Sequence, residues 1–258
     1  MGVLKTVAAA FAMFSRIPMP SFPWDRGTLR YLLCAFPLVG AVIGLVCWGW
    51  TALCGLLSVP AVLRGAGLCV IPVLITGGVH LDGYCDTWDA LSSHGEPARK
   101  QEILKDPHIG AFAAIHLCLY FVLTFALWTA LPVYPPVLVL LGFCLSRSLS
   151  GLAVAAFPLA KDSGLAHTFA SSADQKTVTV FLAVLSAGLI LAMGLFGPGF
   201  AGWLVSAAAL LVFLYYHHMA RKQFGGLSGD LAGWFLQTAE LWMLAALELS
   251  ALLGGVLL

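Results

Sequence analysis

Apolar residues in this chain occur in long uninterrupted blocks, not in alternating or one-sided stripes. A helix of about 20 apolar residues is long enough to cross the hydrocarbon core of a bilayer. The pattern therefore predicts an all-α integral membrane protein, a polytopic helix bundle with about seven transmembrane helices. The predicted spans are approximately 31–57, 61–79, 111–131, 136–157, 177–196, 199–217 and 238–258.

Two segments depart from this pattern. Residues 1–30 hold an apolar stretch, 3–14, that is too short to cross a membrane, and prolines follow it; we expect an interfacial helix and a loop. Residues 82–110 form the longest polar segment, with a short helix expected from Pro97 to Lys105. We interpret it as a cytoplasmic catalytic segment. Because residues 226–237 are ambiguous, the spans could also number six or eight. No internal repeat is evident, so residues 1–258 are expected to form a single membrane-embedded domain.

Composition agrees with a membrane location. Hydrophobic residues make up 60% of the chain and charged residues only 10%, whereas soluble domains carry roughly 25% charged residues. Membrane lipid is therefore an expected partner. The net charge of +1, without a basic stripe, argues against nucleic acid as a partner. The seven cysteines include no CxxC pair and are expected to pack as small apolar residues.

The basic residues predict the orientation of the chain. If the N-terminus is cytoplasmic, segments 1–30, 82–110, 158–176 and 218–237 are cytoplasmic too. These segments hold all of the 13 Lys and Arg residues except Arg64 and Arg147. Lys and Arg are enriched in cytoplasmic loops. The sequence thus predicts a multi-pass protein with its N-terminus and its polar motifs on the cytoplasmic side.

Three aspartates follow the second predicted span. On a helix, Asp82, Asp86 and Asp89 fall within about 60° of one another and share one face. Like charges on one face repel each other, which a bound cation would relieve. Carboxylate oxygens suit Mg²⁺, Mn²⁺ or Ca²⁺. The spacing predicts a metal site formed by these three residues, the alternative being a solvated helix start.

Two further polar motifs precede helices. Asp106, next to Lys105, could be a metal ligand, a base for a hydroxyl, or the cap of the following helix. The run Phe224–Asp230 holds three glycines around a serine, and its backbone amides could either cradle a phosphate or form a flexible turn.

Arg147 lies within a predicted span. Inserting an arginine at such a position costs about 2.5–3.5 kcal/mol, so its side chain should face the bundle interior. There it could pair with Glu240 or reach an anionic substrate.

Together these motifs resemble the cobalamin synthase (adenosylcobinamide-GDP ribazoletransferase) family. The resemblance extends from the N-terminus to the last predicted span. The matching pieces are 14–18, 36–40 with Gly44, 78–83 with Asp86 and Asp89, Lys105-Asp106 with 109–112, Ser146-Arg147, and Gly225-Gly226 with Gly229-Asp230 and Glu240. Some residues depart from the family pattern, and none of the acids is among them. The departures are Tyr84, Cys85, Trp88, Ala90, Pro107-His108 and Ser228.

The resemblance implies a Mg²⁺-dependent transfer of the cobinamide phosphate of adenosylcobinamide-GDP to α-ribazole or its 5′-phosphate, with release of GMP. It further implies that the protein lies in a bacterial inner membrane with its active site on the cytoplasmic face. A homo-oligomer is compatible with the resemblance. Metal held by Asp82, Asp86 and Asp89 would bridge the pyrophosphate. The expected catalytic residues are His80, Asp82 and Asp106, and the expected substrate-binding residues are Arg16, Lys105, Arg147, Gly225, Gly226, Ser228 and Asp230.

Two other functions fit parts of the sequence. Lipid synthases of the CDP-alcohol phosphotransferase type also place aspartates on a cytoplasmic helix, but their pattern has Ala-Arg after Asp-Gly and acids at four-residue steps. Here no arginine follows Asp82-Gly83 at that place. A divalent-cation or proton-coupled transporter would instead use Arg147, Glu240 and Glu248 near the membrane midplane.

Overall fold

The computed structural model describes residues 2–20, 24–131, 136–160 and 164–256. Within these ranges all regular secondary structure is helical, and the only β pairing is an isolated parallel bridge between Leu159 and Leu227. The all-α class is confirmed. The helices are α1 (Gly2–Phe14), α2 (Arg26–Leu29), α3 (Leu32–Leu56), α4 (Ala61–Thr76), α5 (Val79–Ser92), α6 (Pro97–Ile103), α7 (Ala111–Ala130), α8 (Pro136–Ala156), α9 (Leu165–Ser172), α10 (Gln175–Phe196), α11 (Ala201–Phe224) and α12 (Gly229–Val256).

Six of the described helices are long and apolar enough to cross a membrane: α3, α7, α8, α10, α11 and α12. The pair α4 and α5 forms a seventh span if it is counted as one broken helix. The count of six or seven agrees with the prediction of about seven, but two boundaries were wrong. The predicted span 199–217 continues to Phe224. The last span begins at Gly229 and not near 238, because the ambiguous stretch forms the first turns of α12. Its predicted end at 257 and 258 lies outside the described residues.

A sharp bend of 96° separates α4 from α5. Gly77 and Gly78 form the bend with φ values of +70° and +81°, a conformation that glycine adopts without the steric cost of a side chain. α4 is thus about 24 Å long, and α5 turns away from its direction. The bend places the aspartates on a separate polar helix that packs against the first turns of α7 and α12.

The centre of the bundle is the contact between α3 and α8. Gly40 faces the carbonyl of Phe143, and a Cβ at Gly44 would lie 2.5 Å from the Cα of Leu140. Small residues four positions apart allow two membrane helices to approach closely. α8 is accordingly the most buried of the candidate spans.

Two short helices complete the end of the bundle where α5 lies. α6 is fixed to the C-terminal end of α11 by hydrogen bonds that Lys100 donates to Gln223 and that Gln101 Nε2 donates to the Phe224 carbonyl, the latter 2.7 Å long. α9 packs against α8 and brings Phe169 to the end of α1, with its ring centroid 5.7 Å from that of Phe14.

Candidate active site

A cavity of about 420 Å³ opens between α1, α3, α5, α8, α9 and the start of α12. Its volume lies within the range of roughly 300–1,000 Å³ that is usual for small-molecule sites. Three separate sequence motifs contribute to its wall. The predicted site residues that line it are His80, Asp82, Lys105, Ser228 and Asp230.

Acidic side chains are concentrated beside this cavity. Asp82 is exposed, while Asp86 lies one turn further along α5 and is partly buried. Burial raises the pKa of Asp86 to about 7, and the negative charges of Asp82, Asp230 and Asp89 act in the same direction. Asp230 comes from α12, so the structure adds to the three predicted acids a fourth that the sequence analysis had assigned to substrate binding.

Two glycines bring α5 and α12 into backbone contact. A Cβ at Gly83 would lie 2.6 Å from the carbonyl oxygen of Asp230, and a Cβ at Gly233 would lie 2.8 Å from that of His80. Any larger residue at either position would force the helices apart. This crossing determines how close Asp230 lies to the acids of α5.

Asp89 has a structural role that its spacing did not predict. Its two carboxylate oxygens accept hydrogen bonds from the backbone amides of Gly110, at 2.6 Å, and Ala113, at 2.8 Å. The side chain therefore caps the N-terminus of α7 in the manner of an N-cap residue. Asp106, for which the sequence left a capping role open, does not fill it.

The acids near the cavity do not form a complete metal site, but they suit the way in which Mg²⁺ is often bound. Within the described ranges, no three His, Cys, Asp or Glu side chains are arranged to hold an ion between them. Mg²⁺, however, commonly binds one or two carboxylates and completes its shell with water and substrate phosphates. Asp82 and Asp86, with Asp230 nearby, fit that binding mode, whereas Asp89 is engaged elsewhere.

The glycine-rich loop before α12 differs from its predicted form. Gly225 ends α11 with a φ of +75°. The amide of Gly226 donates to the Ala220 carbonyl, at 3.0 Å, and the amide of Leu227 donates to the Pro158 carbonyl, at 2.9 Å. Because these amides are already bonded and neither glycine lines the cavity, Gly225 and Gly226 do not form the expected phosphate cradle.

The cavity wall instead includes Ser228, Gly229 and Asp230, at the start of α12. The Ser228 hydroxyl accepts a hydrogen bond from the Leu231 amide, at 3.3 Å, and so caps the helix. The N-terminus of a long helix carries partial positive charge and attracts phosphate groups. The group suited to a phosphate is therefore the N-terminus of α12, about three residues after the glycines that the sequence favoured.

His80 lines the cavity but is only 6% exposed. Its ring lies 6.5 Å from that of Phe14 and 5.8 Å from that of Phe36, measured between centroids. Burial lowers the pKa of His80 to about 3, and the positive charge of Arg147 adds to this effect. The imidazole is therefore neutral at physiological pH. Its Nε2 is buried and has no hydrogen-bond partner among the described residues.

Arg147 does not line the cavity, and its assignment to substrate binding stays a prediction. The side chain is completely buried and forms an ion pair with Glu240. Ser146 joins the pair, because its hydroxyl donates to Glu240 at 3.0 Å. Of the two alternatives that the sequence left open, the structure has the internal ion pair.

Asp106 and Arg16 also lie outside the cavity wall. The Asp106 side chain is 56% exposed and contacts Nδ1 of His108 at 2.7 Å. Hydrogen bonds from His108 lower the pKa of Asp106, which makes it a poorer base. Arg16 lies at the bend, with its aliphatic portion over Gly77 and its amide donating to the Ile75 carbonyl at 2.7 Å.

The structure adds residues to the cavity that sequence reasoning did not single out. They are chiefly the aromatic residues Phe14, Phe36 and Phe169, together with His167 and Ser150. Phe14 and Phe36 were quoted only as parts of matching segments. His167 and Phe169 belong to a short helix whose pattern carried no signal of its own.

Comparison with known proteins gives consistent matches over nearly the whole chain. The model of the family CobS, cobalamin-5-phosphate synthase, matches residues 6–248. A protein of Lachnoclostridium phytofermentans named adenosylcobinamide-GDP ribazoletransferase is 42% identical over 92% of this chain and 91% of its own length. Proteins with the same name from Ectopseudomonas mendocina and Desulfitobacterium hafniense are 34% and 33% identical; the alignments cover 93% of this chain, and 97% and 95% of theirs, respectively. No solved structure matches the chain.

Proposed function

The chain belongs to the CobS family of cobalamin-5-phosphate synthases, and on that premise we propose that it is an adenosylcobinamide-GDP ribazoletransferase. It transfers the cobinamide phosphate of adenosylcobinamide-GDP to a ribose hydroxyl of α-ribazole or of α-ribazole 5′-phosphate. The observation that carries this proposal is the cavity in which Asp82, Lys105 and the start of α12 meet.

The reaction exchanges a phosphoanhydride bond for a phosphodiester bond. The acceptor hydroxyl oxygen attacks the phosphorus that bears cobinamide, the bond from that phosphorus to the GMP oxygen breaks, and the hydroxyl proton is lost to base or solvent. Negative charge grows on the departing GMP phosphate. Catalysis of such a transfer is largely a matter of positioning the groups and stabilising this charge.

The residues of the cavity can serve both purposes. Lys105 and the N-terminal turn of α12 are the groups that attract phosphate oxygens. We assign Asp82 and Asp86 as the residues that would hold Mg²⁺, with Asp230 beside them. When bound, Mg²⁺ would neutralise the diphosphate and stabilise the leaving phosphate.

Of the two predicted bases, only His80 lies in the cavity wall. A neutral imidazole accepts a proton, but its lowered pKa makes His80 a weak base. Phosphoryl transfer through a loose transition state needs little help from a base. We therefore assign His80 chiefly to orienting the acceptor hydroxyl.

A coupled test separates the reaction from its metal requirement. Purified protein is incubated with adenosylcobinamide-GDP and α-ribazole, and released GMP is measured with and without the acceptor. We expect release that depends on α-ribazole, stops in excess EDTA and returns with Mg²⁺. Absence of acceptor-dependent GMP would contradict the proposed activity, and turnover in excess EDTA would contradict the metal.

We further propose that the protein lies in a bacterial inner membrane with this cavity on the cytoplasmic side. The proposal is supported by the position of basic residues at the cavity end of the bundle, such as Lys105, Arg221 and Lys222. Arg30, at the start of α3, pairs with Asp174 at the start of α10, at the same end. Alkaline phosphatase fused after Leu258 should be active, since the C-terminus would then be periplasmic; an inactive fusion made in normal amounts would contradict the orientation.

A further inference from the structure

The cavity has two chemically different ends. Along α12 its wall extends from Asp230 to Leu236, six residues or about 9 Å of helix. Asp82 lies at the end near Asp230, because the neighbouring Gly83 packs on the Asp230 backbone. The deeper part lies further along α12, where Gly233 packs on His80 and aromatic rings surround the imidazole. The apolar side chains that matter below are Phe14, Phe36, Phe169, Leu33, Val154 and Leu236.

Three aromatic rings from three different helices meet in the deeper part. The ring of Phe14 lies 4.1 Å from that of Phe36 and 5.7 Å from that of Phe169, between centroids. His80 completes the group from α5. Faces and edges of aromatic rings pack favourably against another planar ring system. A cluster built this way is suited to a flat aromatic group.

We propose that this aromatic end binds the base of the acceptor nucleoside, a planar and largely apolar two-ring base of the benzimidazole type. The ribose then lies toward Asp82 and Lys105, where its hydroxyl meets the diphosphate of the donor. This inference rests on the proposed function, because it assigns one of the two substrates to one end of the same cavity.

The sizes of the two substrates support the same arrangement, with the acceptor inside the cavity and most of the donor outside it. A two-ring base on one ribose is a drug-sized ligand, and a cavity of about 420 Å³ accommodates such a ligand. The donor carries a corrin macrocycle and a nucleoside diphosphate and is several times larger. Only its diphosphate portion enters the polar end, and the corrin stays at the mouth.

The lining also predicts which bases are accepted. In the aromatic end the polar side chains are few, chiefly His80, Ser150 and His167. An adenine base would bring an amino group and several ring nitrogens into surroundings that satisfy few of them, and unpaired buried polar groups weaken binding. A benzimidazole base has a single ring nitrogen to satisfy. The site therefore favours benzimidazole over purine nucleosides.

Equilibrium binding of free α-ribazole to the full-length protein in detergent tests the proposal without turnover. Phe14→Leu keeps an apolar side chain but removes the ring, and we expect its Kd for α-ribazole to rise at least tenfold. Phe235→Leu is the control for the loss of a ring, because Phe235 is a buried phenylalanine that packs on Tyr216, with ring centroids 5.0 Å apart, and does not line the cavity. Its Kd should change less than twofold. Adenine riboside should bind wild-type protein at least tenfold more weakly than α-ribazole.

Steady-state kinetics separates this proposal from the proposed function. In Phe14→Leu the KM for α-ribazole should rise while the KM for adenosylcobinamide-GDP stays within twofold. Equal increases in both, an unchanged Kd, or equal binding of adenine riboside would overturn the aromatic site while leaving the enzyme assignment intact. If wild-type protein releases no GMP, the enzyme assignment fails, and the Kd comparison still decides the site. Should Phe14→Leu fail to fold, Phe169→Leu gives the same comparison from α9.

Discussion

Two charged regions of the molecule differ in how their charges are balanced. Burial and the negative charges of Asp82 and Asp230 raise the pKa of Asp86, and Asp82 is exposed beside an open cavity. Arg147 and Glu240 instead neutralise each other within the bundle. In a membrane protein, a charged residue indicates chemistry when its charge is left for a ligand to balance, and structure when a neighbouring side chain balances it.

The comparison also bears on the rival functions. A transporter that used Arg147 and Glu240 would need them to face a pathway, but Arg147 is completely buried and is paired with Glu240. The residues that are open to a large cavity are those expected of a phosphotransferase. Four substitutions would break or sharpen this distinction.

The largest effect is expected from breaking the internal pair. Arg147→Met leaves the Glu240 carboxylate buried without its partner, which typically costs about 3–5 kcal/mol. We expect most of the protein to be lost from the folded state, measured by unfolding in detergent and by the yield of monodisperse protein. The double variant with Glu240→Met removes both charges and should recover stability and turnover.

A single variant as stable as wild type would contradict the structural role of the pair. A stable double variant without turnover would indicate that Arg147 binds the substrate.

The next largest effect concerns the open acids. Asp82→Asn removes one charge that faces the cavity, and turnover should fall roughly 100–1,000-fold, the loss typical for an electrostatic group at a reacting centre. The midpoint of thermal unfolding should not fall, because the substitution also relieves repulsion among the acids. Wild-type turnover in the presence of Mg²⁺ would exclude Asp82 from the chemistry.

A smaller loss is expected when the acids are moved rather than removed. Gly83→Ala places a methyl group against the Asp230 carbonyl and forces α5 away from α12. A displacement of about 1 Å at a reacting centre can cost up to about 100-fold in rate, and we expect a loss of roughly ten- to 100-fold in kcat.

Gly142→Ala is the control for the glycine substitution, since a Cβ there meets no atom closer than 3.8 Å. Similar losses in both variants would show that an added methyl group in any buried helix, not the crossing of α5 and α12, is responsible.

The smallest effect is expected at an acid that the sequence favoured but the cavity does not include. Asp106→Asn changes an exposed carboxylate that binds His108, so kcat should stay within about twofold of wild type. The same GMP assay measures it. A loss approaching that of Asp82→Asn would mean that the segment after α6 reaches the reacting groups during turnover.

The sequence predicted the parts of this fold that depend on local pattern. Blocks of apolar residues gave the spans, and helical spacing gave the polar helix with Asp82 and Asp86. The start of α12 was missed because Gly229, Asp230 and Gly233 make its first turns look unlike a membrane helix. Those residues are needed where α12 crosses α5, a contact that hydropathy cannot represent.

Contacts between distant segments explain why other site residues have roles that differ from the predicted ones. Spacing placed Asp89 beside Asp82 and Asp86, but it could not predict that the amides of Gly110 and Ala113 would take both carboxylate oxygens. Likewise, the run around Gly225 and Gly226 resembled a phosphate loop, but the Leu227 amide within it donates to the carbonyl of the distant Pro158. In each case the residue type was informative, and its role depended on a partner far away in the chain.

The bridge between Leu159 and Leu227 joins two loops through main-chain atoms alone: the Ala160 amide donates to the Leu227 carbonyl and the Leu227 amide to the Pro158 carbonyl, both at 2.9 Å. The hydrogen bonds themselves do not depend on side chains, but Leu227 is 2% exposed in the core and Leu159 packs against it, so replacements there must stay apolar. Gly226 is the exception, because a Cβ there would lie 2.5 Å from the backbone of Leu159. Saturation mutagenesis of this junction should therefore tolerate only apolar residues at 159 and 227 and only glycine at 226.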